Sequence, residues 1–173
     1  MKQLFILALL LLAIPCFSQS IDDATLKSLA DQLEIEATSS EAPVSMNAKV
    51  FSTDEGATQK NVLVVKVNVH ENWHIYAYVP EGGFFVQSEI KLDLPEGVEA
   101  DLVKEPKTKA YDADPQIMLY KGDLLFVYEL KADELTGGEH NITTTLYYQP
   151  CDPYVCLPPN EITVKYELKV EGM

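Results

Sequence analysis

The stretch YYQPCDPYVCLPPN, residues 147–160, places Cys151 and Cys156 with four residues between them and prolines on both sides. A thiol pair at that spacing can staple a fold, hold a metal with other ligands, or cycle between dithiol and disulfide. A disulfide here would close a ring of six residues. Chain-entropy arguments give so small a ring only about 2 kcal/mol. A staple between two sheets would close a far longer loop, whereas a local ring can open and close without unfolding anything. On the residues alone, redox centre and staple stay equally open.

The metal reading is weaker. His70 and His74 stand four apart around ENW and could complete a tetrahedral set with the thiols. The spacing between the cysteines is wider than a CxxC knuckle, however, and nothing in the sequence ties the histidines to the cysteine loop. His74, between Trp73 and Ile75, reads as bordering the core. The sequence therefore predicts no metal. No haem-attachment motif, Gly-rich phosphate loop or serine-nucleophile motif accompanies the pair. Asp152 adjoins Cys151, and no Lys or Arg lies between residues 140 and 165. Nothing local lowers a thiol pKa, so neither cysteine is predicted to be a strongly activated thiolate.

The elements that must position the pair show a period of two. Leu63, Val65, Val67 and Val69 share one face of NVLVVKVNV. Leu124, Phe126, Tyr128 and Leu130 alternate with Leu125, Val127, Glu129 and Lys131. Ile162, Val164, Tyr166, Leu168 and Val170 alternate with Thr163, Lys165, Glu167, Lys169 and Glu171. Such alternation predicts antiparallel strands with one buried and one wet face. Shorter strands are expected at MNAKVFS, SEIKLDL and VEADLV, with turns at DEG, PEGG, PEG, KGD and TGG. HNITTTLYYQ runs into the cysteine loop and EITVKYELKV runs out of it, while Pro150, Pro153, Pro158 and Pro159 keep the loop itself out of the sheet. About seven strands predict an all-β, immunoglobulin-like antiparallel sandwich over residues 46–173. Ahead of it, IDDATLKSLADQLEIE carries Ile21, Leu26, Leu29 and Leu33 at helical spacing, with Asp22 as a cap. Residues 19–45 are read as this short helix and a polar linker.

Residues 1–18 read as an export signal, with Lys2, a short apolar run and a cut after Ser18. Cleavage there removes Cys16, leaving the pair in an oxidising compartment. The formal charge of −14 becomes one unit more negative without Lys2 and argues against nucleic acid as a partner.

YYQPCDPYVCLPPNEITV resembles the Tyr-Gln-x-Cys-x4/5-Cys-x-Pro-Pro motif of the N-terminal domain of the thiol:disulfide interchange protein DsbD. Tyr148, Gln149, Cys151, Cys156, Pro158 and Pro159 match it one by one. NWHIYAYVPEGGFFVQSEIKLDLPEGVE is similar to that family's Gly-Trp-His-Ile-Tyr segment and the strand after it. The likeness spans about residues 44–170. It implies an immunoglobulin-like periplasmic carrier without cofactor, a protein thiol–disulfide oxidoreductase. Such a domain takes electrons from a membrane-embedded reductase and passes them to thioredoxin-fold proteins, among them the reductant for cytochrome c assembly. It also implies that Cys156 bonds to the partner and Cys151 resolves, and that Tyr111, in KTKAYDADPQ, caps the pair. The spacing is four residues where some members have five. With the chain ending at Met173, the membrane reductase is expected on another polypeptide, and a monomer is expected. The rival expectation is an exported binding module whose disulfide only stiffens a loop.

Overall fold

The computed structural model describes residues 21–55, 58–131 and 138–170. The stretch read as an export signal, with Cys16 and Ser18, lies outside the described residues, as do parts of the turns expected at 54 and 136. The described chain forms α1 (Asp23–Asp31), β1 (Val44–Glu55), β2 (Thr58–Val69), β3 (Ile75–Tyr78), β4 (Glu89–Asp93) and β5 (Glu99–Lys104). It continues through β6 (Lys109–Tyr111), β7 (Asp114–Tyr120), β8 (Asp123–Lys131), β9 (Gly138–Tyr148) and β10 (Asn160–Val170). A four-stranded sheet runs β1-β2-β8-β5, and a three-stranded sheet runs β10-β9-β4. A second three-stranded sheet runs β3-β7-β6. All strand pairs are antiparallel. The immunoglobulin-like sandwich expected from the alternation is the fold observed.

Its core is built by the predicted faces. Leu63, Val65 and Val67 of β2 and Phe126 of β8 pack in one cluster with Ile142 and Leu146 of β9 and Leu168 of β10. Each such side chain stabilises the fold by about 1.5–3 kcal/mol on leaving water. The β7–β8 hairpin turns through Lys121 and Gly122. Gly122 takes φ +67°, a left-handed conformation that glycine adopts without a Cβ clash.

One expectation is corrected. The outer face of the four-stranded sheet is not wet along β2 and β8, because Val62, Val64 and Val127 are fully buried there. Helix α1 lies over them, packing Leu26, Ala30 and Leu33 against Phe51, Val62, Val64 and Val127. The unbroken apolar run at residues 62–65 is what a strand covered on both faces looks like. Asp22 caps the helix, accepting from the N–H groups of Ala24 at 3.0 Å and Thr25 at 2.9 Å. An ion pair from Lys104 to Asp23 holds its first turn. The ammonium of Lys66, on β2, donates to the carbonyl of Ala30 in its last turn at 3.3 Å and to that of Leu33 just beyond it at 3.5 Å. Among the described residues, no helix is long and apolar enough to cross a membrane.

The small sheet is what brings the fold to the cysteines. Trp73, Ile75 and Tyr120 belong to the sandwich core. The intervening residues Tyr76, Ile117 and Leu119 form a separate buried cluster with Cys151. One face of β3-β7-β6 therefore completes the core, and the other makes a pocket wall for the cysteine loop.

Candidate redox site

Strand β9 delivers the loop. Ile142, Thr144, Leu146 and Tyr148 alternate inward, and Tyr148 ends the strand inside the core cluster. Pro150, without an N–H, cannot extend the ladder. Cys151 then pairs with His74 as an isolated antiparallel bridge. The His74 N–H donates to the Cys151 carbonyl and the Cys151 N–H to the His74 carbonyl, both at 2.9 Å. This corrects the sequence reading that nothing ties a histidine to the loop, since the pairing joins residues far apart in the chain. His70 lies elsewhere, with Nδ1 3.2 Å from the Thr38 hydroxyl. Among the described residues, no cluster of three or more His, Cys, Asp or Glu side chains is placed to hold a metal.

Within the ring, Asp152 Oδ1 accepts the N–H groups of Tyr154 and Val155, each at 2.7 Å. The Asp152 N–H donates to the Val155 carbonyl and the Leu157 N–H to the Pro150 carbonyl, both at 2.9 Å. The carboxylate next to Cys151 thus shapes the turn that returns the chain to Cys156, and the two cysteines are joined as a disulfide. Gln149 fastens the loop to its neighbour. Its Oε1 accepts from the Val86 N–H at 3.0 Å and its Nε2 donates to the Leu157 carbonyl at 3.4 Å. Pro158 and Pro159 are exposed on the exit limb. With Tyr148 and Pro150 they line a groove against residues 41–44.

The two sulfurs sit in unlike surroundings. Cys151 is 1% exposed, whereas Cys156 is an exposed residue. The Tyr76 hydroxyl donates to Cys151 Sγ at 3.1 Å and lies 3.9 Å from Cys156 Sγ. Burial, with a smaller contribution from Tyr111, pushes the Tyr76 phenol up to about 12, so it remains a donor at physiological pH. Phe85 stacks on the Tyr76 ring at 4.5 Å between centroids. Tyr111 meets Phe85 edge-on at 6.2 Å and lies 5.8 Å from the His74 ring. It is half-buried and packs against the cluster that holds Cys151.

His74 contributes a neutral ring to this wall. Burial, then the nearby Lys121, lowers its pKa to about 4, with Asp152 opposing. Its Nε2 is buried without a hydrogen-bond partner among the described residues, an arrangement that a protonated imidazole would not tolerate.

All the cysteine-motif residues singled out in the sequence are brought together. Tyr76, Phe85 and the Cys151 bridge to His74 were not foreseen. The signal was present in WHIYAY, where Trp73, Ile75 and Ala77 alternate with His74, Tyr76 and Tyr78, so that two apolar faces, not one, need a partner. Chemically, the site is a disulfide between an exposed residue, Cys156, and a buried one, Cys151, whose sulfur is held under a phenolic donor.

No curated protein matches the chain. Among solved structures, it is similar to the N-terminal periplasmic domain of ScsB from Proteus mirabilis at 20% identity and a TM-score of 0.47, covering 76% of this chain and 49% of that one. It is also similar to the Neisseria meningitidis DsbD N-terminal domain in the reduced form, at 14% identity and a TM-score of 0.37, covering 64% of this chain and 78% of that one. The family model of the thiol:disulfide interchange protein DsbD, N-terminal, matches residues 41–168, from just before β1 to within β10. With the sandwich and the cysteine loop both inside that span, the chain belongs to the DsbD N-terminal domain family.

Proposed function

We propose that the chain is a periplasmic thiol–disulfide carrier, passing electron pairs through Cys151 and Cys156 from a membrane-embedded reductase on another chain to thioredoxin-fold proteins. The observation that carries this reading is the asymmetry of the pair, Cys156 an exposed residue and Cys151 buried beneath the Tyr76 hydroxyl. A staple has no need of an exposed cysteine.

The steps balance without a cofactor. A donor thiolate attacks Cys156 Sγ, the S–S bond breaks, and its electron pair leaves on Cys151 Sγ, where the Tyr76 hydrogen bond stabilises the new thiolate. A second donor thiolate attacks the donor's own sulfur in the mixed disulfide, releasing Cys156 as a thiolate and leaving the donor oxidised. Delivery reverses the order: Cys156 attacks the recipient's disulfide, and Cys151 resolves the mixed disulfide that forms. Tyr111 acts as the cap, limiting access of adventitious thiols from the His74 and Phe85 side.

Single-cysteine variants test these roles. Cys151→Ala leaves the exposed thiol without its resolving partner, so it accumulates a mixed disulfide with a thioredoxin-fold protein on non-reducing gels. Cys156→Ala, with only the buried thiol, forms little or none. The opposite pattern reverses the roles, and absence of trapping in both variants defeats the carrier reading. A reduction potential below about −300 mV, in the range of structural bridges, would point to the stiffened binding module instead.

A further inference from the structure

Two aromatic side chains at the disulfide end have almost nothing packed on them. Phe84 is 99% exposed and Tyr154 95%, and Val155 is 50% exposed. Tyr154 and Val155 lie inside the disulfide ring, directly before the exposed Cys156. Phe84 lies on the loop between β3 and β4, and that loop is firmly held. The Gly83 N–H donates to the Pro80 carbonyl at 3.0 Å, and the Ser88 N–H donates to the Tyr76 carbonyl at 2.7 Å. The Val79 N–H donates to Gln87 Oε1 at 3.1 Å. A Cβ on Gly83 would come within 2.5 Å of Val79 Cγ1, so the turn is closed around a missing side chain. Phe85 points inward onto Tyr76, while its neighbour Phe84 is left in water.

We infer that Phe84, together with Tyr154 and Val155, forms an apolar docking rim for the protein dithiol that exchanges with Cys156. The inference deepens the carrier reading and rests on it. The disulfide fixes the occupant, because whatever covers Tyr154 and Val155 lies against the exposed Cys156 that follows them in the ring. The two loops that carry the rim are joined through one side chain. Gln149 bonds the Phe84 loop through the Val86 N–H and the exit limb of the cysteine loop through the Leu157 carbonyl. A small thiol needs only the sulfur. A protein thiol that must align with the S–S bond brings surface with it, and exposed aromatic anchors beside the point of attack give that surface something to bury.

The test compares two reductants, reduced thioredoxin and dithiothreitol, by their second-order rate constants for reducing Cys151–Cys156. Phe84→Ser is expected to slow thioredoxin about tenfold and leave dithiothreitol unchanged, with Tyr154→Ser acting in the same direction. Circular dichroism and the melting temperature should hold, since neither ring is packed in the fold. An unchanged thioredoxin rate in both variants overturns the rim and leaves the carrier reading standing. Equal slowing of both reductants also overturns it, by placing the effect on the disulfide itself. A wild-type protein that thioredoxin reduces no faster than dithiothreitol, thiolate for thiolate, overturns the carrier reading and the rim together.

Discussion

The outer face of the four-stranded sheet and the disulfide end pose the same problem and solve it differently. Both gather apolar side chains outside the sandwich core. On the sheet, Val62, Val64 and Val127 are sealed by Leu26, Ala30 and Leu33 of α1. At the disulfide end, Tyr76, Ile117, Leu119 and Cys151 are enclosed, yet Phe84 and Tyr154 beside them stay in water. The chain therefore has the means to cover an apolar surface and does not use it around the exposed Cys156. One region is closed by the chain itself, and the other is left open to water.

Four measurements can break or sharpen that contrast. Leu26→Ala, on the sealed face, should cost about 3 kcal/mol in denaturant unfolding and leave the rate of dithiothreitol reduction within a factor of two. A large change in that rate would mean the two regions are coupled. Protonation of His74 should weigh on the disulfide end. Its pKa is depressed in the fold to about 4 from an ordinary 6.5, so between those values the unfolded chain binds the extra proton. Stability should therefore fall as pH drops from 6.5 and level off below 4, by roughly 3 kcal/mol. His74→Phe should flatten that part of the pH profile, and an unaltered profile would remove His74 as the cause.

Reducing the disulfide should cost on the order of 2 kcal/mol, as a six-residue ring implies, with the far-ultraviolet spectrum retained. Global unfolding on reduction would make the ring a staple. The smallest effect is kinetic: Tyr111→Ala should speed reaction with dithiothreitol a few-fold with little change in melting temperature. An unchanged rate would end the cap assignment.

The seven strands legible in the sequence are the long or cleanly alternating ones, β1, β2, β4, β5, β8, β9 and β10. The three that were not, β3, β6 and β7, make up the sheet that walls the site. β3 and β6 are four and three residues long. The ladders to β7 slip register between Tyr76 and Tyr78 and between Ala110 and Tyr111. Such stretches show too few repeats of a period to be read from one chain. The cysteine loop was legible because prolines and spacing act locally. Its pocket was not, because the bridge of His74 to Cys151 and the hydroxyl of Tyr76 over the sulfur join distant residues. The burial of Val62 and Val64 was written in their unbroken run with Leu63 and Val65, but only a docked helix gives that run its meaning.

Lys66 carries a consequence for the order in which the protein assembles. A nine-residue helix is too short to persist in water alone. No basic residue of its own stands in its last turn. The cation near that end is lent by β2, from a strand that follows it in the chain. The apolar surface it needs is likewise built by β1, β2 and β8. Helix α1 therefore depends on residues more than ninety positions downstream, and the part of the described chain that comes first cannot be complete before β8 is in place. In native-state hydrogen exchange its amides should open ahead of those of β2, and equal protection of the two would contradict that order.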